Sequence, residues 1–235
     1  MDWTTTRKIF HEYGCCKFLL NDTIGIENFK ETITYAYNKS IHMKNDPTRR
    51  FFRYDFCDSQ NTKYEMKEFI SYITSLFHNS KCPFFQEKEF NEFSLLFDGF
   101  VHQDLHFDMI PGKIGDSVDD CFVCILALEE PIHIRILPKT HLSFNNNILL
   151  PYVFVDITIS KMECFIFHIL CVHGGGVNVS VLNRHCARVH VYLDPVKVRN
   201  TGRIKTSNIY YHDPRFPPAI SKYIIDNDPI TKIYK

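Results

Sequence analysis

The sequence lacks the features that mark membrane-spanning, secreted and polyanion-binding proteins. No segment of the 235-residue chain reaches the roughly 18 consecutive apolar residues that a spanning helix needs. The N-terminus, Met1–Thr4, lacks the basic and apolar regions of a secretory signal. Lysine plus arginine equals aspartate plus glutamate at 27 each, so no overall basic field favours nucleic acid as a partner. These absences predict a soluble, cytoplasmic protein.

Disulfide and zinc frameworks are also disfavoured. Nine cysteines are an odd number scattered over a long chain, which predicts reduced and mostly buried thiols. Cys121 and Cys124 form a solitary CxxC inside an apolar run, with no second pair at zinc spacing. A strand through this run would place the two sulfurs on opposite faces. We interpret these cysteines as core residues.

No internal repeat is visible, and the length suits a single domain, 1–235, with three parts. Residues 1–92 form a mostly helical N-terminal part, 93–195 a β-rich core, and 196–235 a C-terminal tail that wraps the surface. Predicted N-terminal elements are a short helix, a strand, two longer helices and an edge strand or lid: Thr4–Tyr13, Cys15–Leu20, Ile24–Lys39, Met66–Asn79 and Phe51–Phe56.

The character changes from Phe93 onward, because short apolar runs of β-branched and aromatic residues alternate with turn signals. Predicted strands are Leu95–His102, Phe122–Leu128, Ile132–Leu137, Ile148–Ile157, Cys164–Ile169 and His185–Leu193. Six short strands after a helical preface predict an α+β protein with a β-barrel or jelly-roll core. The tail is predicted to hold one short helix near Ala219–Ile225.

The densest chemistry lies in Val101–Asp108, which contains two His-x-Asp pairs, His102/Asp104 and His106/Asp108. In a strand, all four of these side chains point to one side. Two imidazoles and one carboxylate on one face of a metal suit divalent iron, because three adjacent coordination positions stay free. An His-x-Asp pair supplies two such ligands, and the third must come from a distant strand. His173, at the start of a histidine–glycine run, is the candidate.

Further motifs follow in order along the chain: Gln103–Asp108, Ile134–His141, Phe165–His168, His173–Asn178 and Arg188–Tyr192. They resemble the QxxHxD segment, the Pro-Gly-Ser-His element, the distal-histidine strand, the HxGxxN turn and the cosubstrate-arginine strand of iron(II)- and 2-oxoglutarate-dependent dioxygenases. The similarity is closest to the phytanoyl-CoA-hydroxylase-like branch. Order and spacing agree over Phe93–Asp194, and Ile9–Gly14 resembles the family's opening helix.

The resemblance implies a double-stranded β-helix in which three residues bind Fe(II): His106, Asp108 and His173. It also implies that Arg188 pairs with the distal carboxylate of 2-oxoglutarate, with help from His190 and Tyr192 on the same strand face. The implied reaction consumes dioxygen and 2-oxoglutarate, releases succinate and CO2, and hydroxylates a small-molecule or lipid-like substrate.

Two assignments require a choice between nearby residues, namely the His-x-Asp pair that binds the metal and the arginine that binds 2-oxoglutarate. The resemblance favours His106 and Asp108 over the earlier pair because Gln103 stands three residues before His106. His102 and Asp104 are then expected to orient the ligands. Arg188 is preferred to Arg184 because it lies inside an apolar strand, where an unpaired guanidinium would be costly.

Other interpretations stay open beside this one. His133, His141 and His168 are expected to be packed or capping residues, since a lone histidine in a strand or turn is seldom a ligand. An enzyme of this kind could also oxidise a protein side chain or demethylate a nucleobase. A non-catalytic, cupin-like barrel that binds zinc or nothing is the alternative from another class. The substrate loops, including Asn45–Lys63 and Met109–Asp120, carry no recognisable motif.

Overall fold

The structure is a computed structural model that describes residues 2–21, 25–42, 51–55, 64–87, 89–98, 105–109, 122–128, 131–146, 151–175, 187–194 and 207–227. In several strands, including 89–98, 108–109 and 187–194, the backbone alone is described. The helices are α1 (Trp3–Tyr13), α2 (Lys30–His42, after a 3₁₀ turn at Ile26–Phe29), α3 (Tyr64–Asn79), α4 (Pro83–Glu87), α5 (Thr140–Asn146) and α6 (Pro218–Asn227).

The described strands form two antiparallel sheets. The six-stranded sheet has the order β1 (Cys15–Leu19), β8 (Glu163–His168), β5 (Phe122–Ala127), β10 (Ala187–Asp194), β3 (Glu89–Asp98) and β2 (Phe51–Asp55). The five-stranded sheet has the order β11 (Ser207–Tyr210), β4 (His106–Met109), β9 (Val172–Gly175), β6 (Ile132–Leu137) and β7 (Val155–Ile159). From β3 to β10 the chain alternates between the sheets, except at the β6–β7 hairpin. The α+β prediction is therefore confirmed.

Helix α1 shows how local sequence sets an element's ends. The Asp2 carboxylate accepts a hydrogen bond from the Thr4 amide at 3.0 Å and so caps the first turn. Gly14 ends the helix at φ 75°, and its amide donates to the Phe10 carbonyl at 2.7 Å. A Cβ at Gly14 would collide with Cys171 and His141, so this position also needs glycine for close packing.

One face of the six-stranded sheet is covered by helices. Alternate residues of β5, namely Phe122, Cys124 and Leu126, are buried against side chains of the N-terminal helices. The partners include Phe10 of α1 and a run of aromatic and aliphatic residues from α3 and α4: Phe69, Ile73, Phe77, Phe84 and Phe85. This cluster is the larger apolar core of the described chain, and it anchors the N-terminal helices to the sheet.

The other face of that sheet lines the space between the two sheets. Val123, Ile125 and Ala127 of β5 belong to a second buried cluster together with Ile134 and Ile136 of β6. Side chains on opposite faces of one strand thus serve two different cores, as the two-residue period of a strand requires. The inner cluster forms the surroundings of the candidate site.

Several predicted boundaries are confirmed, including the helix that ends at Gly14 and the strand at Ile132–Leu137. The Phe51–Phe56 patch contributes the edge strand β2. Of the strand predicted at Ile148–Ile157, residues 148–150 lie outside the described residues, and the prediction is wrong at 151–154, because β7 begins only at Val155. Pro151 has no amide hydrogen to donate to a neighbouring strand. The next residue, Tyr152, is directed toward α5, where its hydroxyl is hydrogen-bonded to Ser143.

The C-terminal tail departs most from expectation. Its predicted helix is confirmed as α6, but Ser207–Tyr210 forms strand β11 and pairs with β4 along its whole length. The described part of the tail, 207–227, therefore contributes a strand to the five-stranded sheet and does not merely wrap the surface. Ile209 is the one apolar residue within β11 and is fully buried, which is too weak a pattern to predict a strand.

Candidate active site

Two distant histidines meet where β4 and β9 pair. His106 and His173 are directly opposite each other in the antiparallel register, and their ring centroids lie 4.3 Å apart. Directly opposite residues share a face of the sheet, so both rings lie on the same side. They are 2% and 7% exposed, respectively. Two imidazoles placed side by side in a buried position can coordinate one metal ion.

These histidines belong to a row that crosses the five-stranded sheet. The register pairs Tyr210 of β11 with His106, His106 with His173, and His173 with Ile136 of β6. The His173 ring also contacts Phe167, which belongs to β8 of the other sheet, with centroids 4.3 Å apart. The row therefore faces the space between the sheets, where the apolar surroundings exclude water from the two rings.

The His173 ring is oriented by its own backbone. Its Nδ1 atom lies 2.9 Å from the Cys171 carbonyl oxygen, which can only accept a hydrogen bond. Nδ1 therefore carries the proton, and in the neutral ring the lone pair lies on Nε2. This is the tautomer that a metal ligand requires.

A threonine secures the turn that leads into β9. The Thr140 hydroxyl accepts a hydrogen bond from the Val172 amide at 2.9 Å and donates to the Leu137 carbonyl at 2.8 Å. Thr140 is fully buried, so both bonds are shielded from competition by water. The residue before His173 is thereby tied to the end of β6.

The third predicted ligand, Asp108, lies in β4 two residues after His106, and hence at a position on the same face of the strand. Its register partner is Asn208 of β11. The side chain of Asp108 lies outside the described residues. Among the side chains that are described, no group of three His, Cys, Asp or Glu residues lies within metal-binding reach.

The predicted cosubstrate residues lie on β10, the strand between β5 and β3. Arg188 is opposite Ala127, His190 is opposite Ile125, and Tyr192 is opposite Val123. These three β5 residues all belong to the cluster between the sheets. The three β10 positions therefore lie on the sheet face that is turned toward the histidine row. Their side chains lie outside the described residues, as do the whole residues Gln103, His102, Asp104 and Arg184.

Sequence comparison gives no relatives: no family model matches the chain, and no curated protein matches it. Solved structures are similar to it in fold. One is the epimerase SnoN in complex with Fe3+, alpha-ketoglutarate and nogalamycin RO, at 12% identity and a TM-score of 0.54, covering 82% of this chain and 83% of that chain.

Two further structures agree. The non-heme alpha-ketoglutarate-dependent carbocyclase SnoK from nogalamycin biosynthesis matches at 11% identity and a TM-score of 0.54, over 80% of this chain and 82% of that chain. AviO1 from Streptomyces viridochromogenes matches at 13% identity and a TM-score of 0.56, over 83% of this chain and 96% of that chain. This chain therefore shares its fold with SnoN, SnoK and AviO1. The comparison does not single out the phytanoyl-CoA-hydroxylase-like branch, which stays a prediction.

The remaining histidines fit packing roles, as the sequence suggested. His133 Nδ1 is hydrogen-bonded to the Thr158 hydroxyl at 3.1 Å. His168 Nδ1 accepts from the Leu170 amide at 3.1 Å, which identifies Nδ1 as unprotonated. His141 is buried in α5, with Nε2 3.2 Å from the His11 carbonyl oxygen.

Buried thiols occur in both apolar clusters of the described residues. Cys171 lies in the turn before His173, and burial raises the pKa of its thiol well above the ordinary value. Cys124 lies in the helix-covered core, with its Sγ atom 3.1 Å from Sγ of Cys164. Cys121 lies outside the described residues, so the CxxC interpretation is tested only at its second cysteine, which is buried.

Sequence reasoning missed one part of the site, the C-terminal strand. Tyr210 lies beside His106 with ring centroids 5.4 Å apart, and His212 stacks on Tyr210 with an interplanar angle of 6°. The run of two tyrosines and a histidine at 210–212 was the available signal, but no motif marked it. Separately, no helix among the described residues has the length and apolar character needed to cross a membrane.

Proposed function

We propose that this protein is an Fe(II)- and 2-oxoglutarate-dependent oxygenase. The observation that carries the proposal is the buried pair of His106 and His173, which are opposite each other on adjacent strands of this fold. Two imidazoles that lie side by side in a buried position can both donate a nitrogen to one metal ion. The fold supports the same conclusion, because SnoN and SnoK carry iron- or alpha-ketoglutarate-dependent chemistry on it.

His106, Asp108 and His173 would hold the iron. The donor set fits, since two imidazoles and one carboxylate suit divalent iron and leave positions free for a cosubstrate. The Nδ1–H of His173 is engaged by the Cys171 carbonyl, so Nε2 is the nitrogen available to a metal. Asp108 shares the strand face of His106, which supports its place as the third ligand.

Arg188 would bind the distal carboxylate of 2-oxoglutarate. On β10 it pairs with Ala127 of the neighbouring strand β5, which belongs to the cluster between the sheets. Because the alanine side chain is small, it leaves room for a ligand beside Arg188. A guanidinium can pair with a carboxylate through two parallel hydrogen bonds and thus fix the orientation of a dicarboxylate. His190 and Tyr192, at the next two positions on that face, would assist.

In such a site, iron with 2-oxoglutarate and dioxygen supplies the oxidation of a substrate with release of succinate and CO2. The protein's own residues orient the reactants. Burial of His106 and His173 keeps water from the metal ligands, and the Cys171 and Thr140 hydrogen bonds hold the distal ligand in place.

We further propose that the two sheets form a double-stranded β-helix and that residues 1–235 constitute one dioxygenase domain. The alternation of β3 to β10 between the sheets supports the first point. For the second, β1 comes from the N-terminal part, β11 from the tail, and both are paired into the core sheets. The three parts, 1–92, 93–195 and 196–235, therefore differ in sequence composition, but we do not propose them as separate folding units.

The proposed substrate is a small or lipid-like molecule, and the proposed outcome is hydroxylation. SnoN is an epimerase and SnoK a carbocyclase, so the fold also carries other oxidative outcomes. The zero net charge gives no support to a nucleic-acid substrate. We infer a cytoplasmic location, which the free and buried state of the described cysteines supports.

An anaerobic titration tests the proposal. Fe(II) and then 2-oxoglutarate are added to the purified protein, and the visible absorption is followed. A weak charge-transfer band is expected for the native protein, and its loss is expected for His106→Ala. The matched control is His133→Ala, which alters a partly buried histidine of the same sheet that is hydrogen-bonded to Thr158. A correctly folded native protein that shows no band would instead indicate a non-catalytic, cupin-like binding module.

A further inference from the structure

The C-terminal strand β11 brings an aromatic residue to the proposed metal site. Tyr210 is directly opposite His106 in the β11–β4 register, and Asn208 is opposite Asp108. The Tyr210 and His106 ring centroids are 5.4 Å apart at an interplanar angle of 49°. Because β4 lies between β11 and β9, the His106 ring is flanked by Tyr210 on one side and by His173 on the other.

The segment that carries Tyr210 is fixed firmly to the sheet. Ile209 is fully buried, the Tyr211 amide donates to the Leu105 carbonyl at 3.2 Å, and the Ser221 hydroxyl of α6 donates to the Tyr211 carbonyl at 2.7 Å. Phe216 packs its ring against Phe107 of β4, with centroids 5.2 Å apart. The tail from β11 to α6 therefore forms one anchored unit beside the ligand strand.

The outer side of Tyr210 is also covered. The His212 ring lies parallel to the Tyr210 ring, with centroids 5.8 Å apart and an angle of 6° between the planes. After this pair the chain turns back, with the Asp213 amide donating to the Tyr210 carbonyl at 2.8 Å. A continuous series of rings thus runs from His212 through Tyr210 and His106 to His173.

We propose that Tyr210 is a positioning residue for His106, and that the C-terminal segment is consequently an integral part of the metal site. This inference rests on the proposed function. A metal-binding imidazole must keep its ring plane fixed, and a neighbour that contacts the ring limits rotation about the Cβ–Cγ bond. His173 is held by the Cys171 carbonyl, and the His106 ring is in contact with the rings of His173 and Tyr210.

Cobalt(II) binding tests this inference, because the visible spectrum of the bound ion reports ligand number and geometry without any turnover. Tyr210→Leu and Tyr210→Met both remove the ring, and Met also keeps much of the volume. We expect both to weaken cobalt binding about 10-fold or more, as is typical when the partner of a ligand is lost, and to alter the visible bands. Tyr210→Phe keeps the ring and should restore both native affinity and native spectrum.

The matched control is Tyr211→Leu, which makes the same change at the next residue, partly buried and directly after the end of β11. It should leave cobalt affinity and spectrum unchanged. The thermal midpoint of each metal-free variant shows whether it folds, and Tyr210→Met gives the answer if Tyr210→Leu does not.

The outcomes separate this inference from the function it rests on. If native protein binds no cobalt, or binds it equally well after His106→Ala, the proposed site itself is wrong. If native binding depends on His106 but Tyr210→Met leaves affinity and spectrum native, Tyr210 has no positioning role. An equal loss in Tyr210→Phe would also overturn the inference, because the ring would not be the group responsible.

Discussion

The two buried regions of this protein are equally shielded from water but differ in what they bury. The helix-covered face of the six-stranded sheet holds apolar side chains and thiols, such as Leu126 and Cys164. The inner face of the five-stranded sheet instead holds the polar rings of His106 and His173, at 2% and 7% exposure. Burial of apolar side chains contributes stability, whereas a buried imidazole contributes only when its nitrogens are hydrogen-bonded or bound to a metal. Under the function that we propose, the inner face holds these two rings for a bound metal ion.

Loss of a ligand on the inner face should have the largest effect. Asp108→Ala and His106→Ala are each expected to reduce 2-oxoglutarate-dependent succinate release to background. In either variant only two of the three ligands remain, and these two do not hold the iron in place. Succinate is measured with Fe(II) and oxygen present, and His102→Ala serves as the comparison. If activity survives both changes while His102→Ala abolishes it, the metal belongs to the earlier His-x-Asp pair.

A truncation in the helix-covered core should act on stability alone. Leu126 is fully buried, so Leu126→Ala should lower the free energy of unfolding by about 3 kcal/mol through lost burial and a residual cavity. Urea denaturation of the metal-free protein measures this change. Iron affinity measured under native conditions should stay unchanged. A loss of affinity without a loss of stability would break the distinction between the two regions.

Removal of the proposed cosubstrate arginine should have a smaller, more selective effect. Arg188→Ala is expected to weaken 2-oxoglutarate binding by about 2 kcal/mol, the scale of a lost charged hydrogen-bonding contact. Isothermal titration of the Fe(II)-loaded protein measures the affinity. Arg135→Ala, which removes an arginine already paired with Asp156, is the control. Little change at Arg188 together with a large one at Arg184→Ala would exchange the two assignments.

The smallest effect concerns pH and the buried thiols. Burial raises the pKa of the Cys82 thiol from its ordinary value of 9.0 to about 12. Above pH 9 the unfolded chain therefore loses this proton while the folded protein retains it, so the free energy of unfolding falls between about pH 9 and pH 12. By pH 10 the loss from one such thiol is about 1 kcal/mol.

Comparison of urea denaturation at pH 8 and pH 10 measures this slope. Cys82→Ala should shift the whole curve and also make the difference between the two pH values smaller by about the same 1 kcal/mol. An unchanged pH difference in this variant would show that the thiol does not contribute.

Much of the fold follows from local patterns in the sequence. Helix α1 was predictable because Gly14 lies directly after its last turn, and the strands at 122–127 and 132–137 were predictable from unbroken apolar or alternating runs. Strand β11 and helix α5 were not. Each is short, and the pairing of β11 with β4 depends on the distant core and not on its own sequence.

The site divides in the same way. The His-x-Asp motif and the histidine–glycine run marked His106, Asp108 and His173 as candidates, and pairing of β4 with β9 brings the two histidines together. Tyr210 could not be identified, because its closeness to His106 arises only when the tail adds a strand to the sheet. The Cys171 carbonyl carries no side-chain signal at all, so its bond to His173 was invisible in the sequence.

Anomalous diffraction shows directly whether His106, Asp108 and His173 together hold a divalent iron. Crystals grown without oxygen in the presence of Fe(II) and 2-oxoglutarate are measured on both sides of the iron absorption edge. We predict one strong anomalous peak within coordination distance of these three side chains, with 2-oxoglutarate between the peak and Arg188. A peak elsewhere, for example beside His141 and His168, or no peak in a fully loaded crystal, would contradict it.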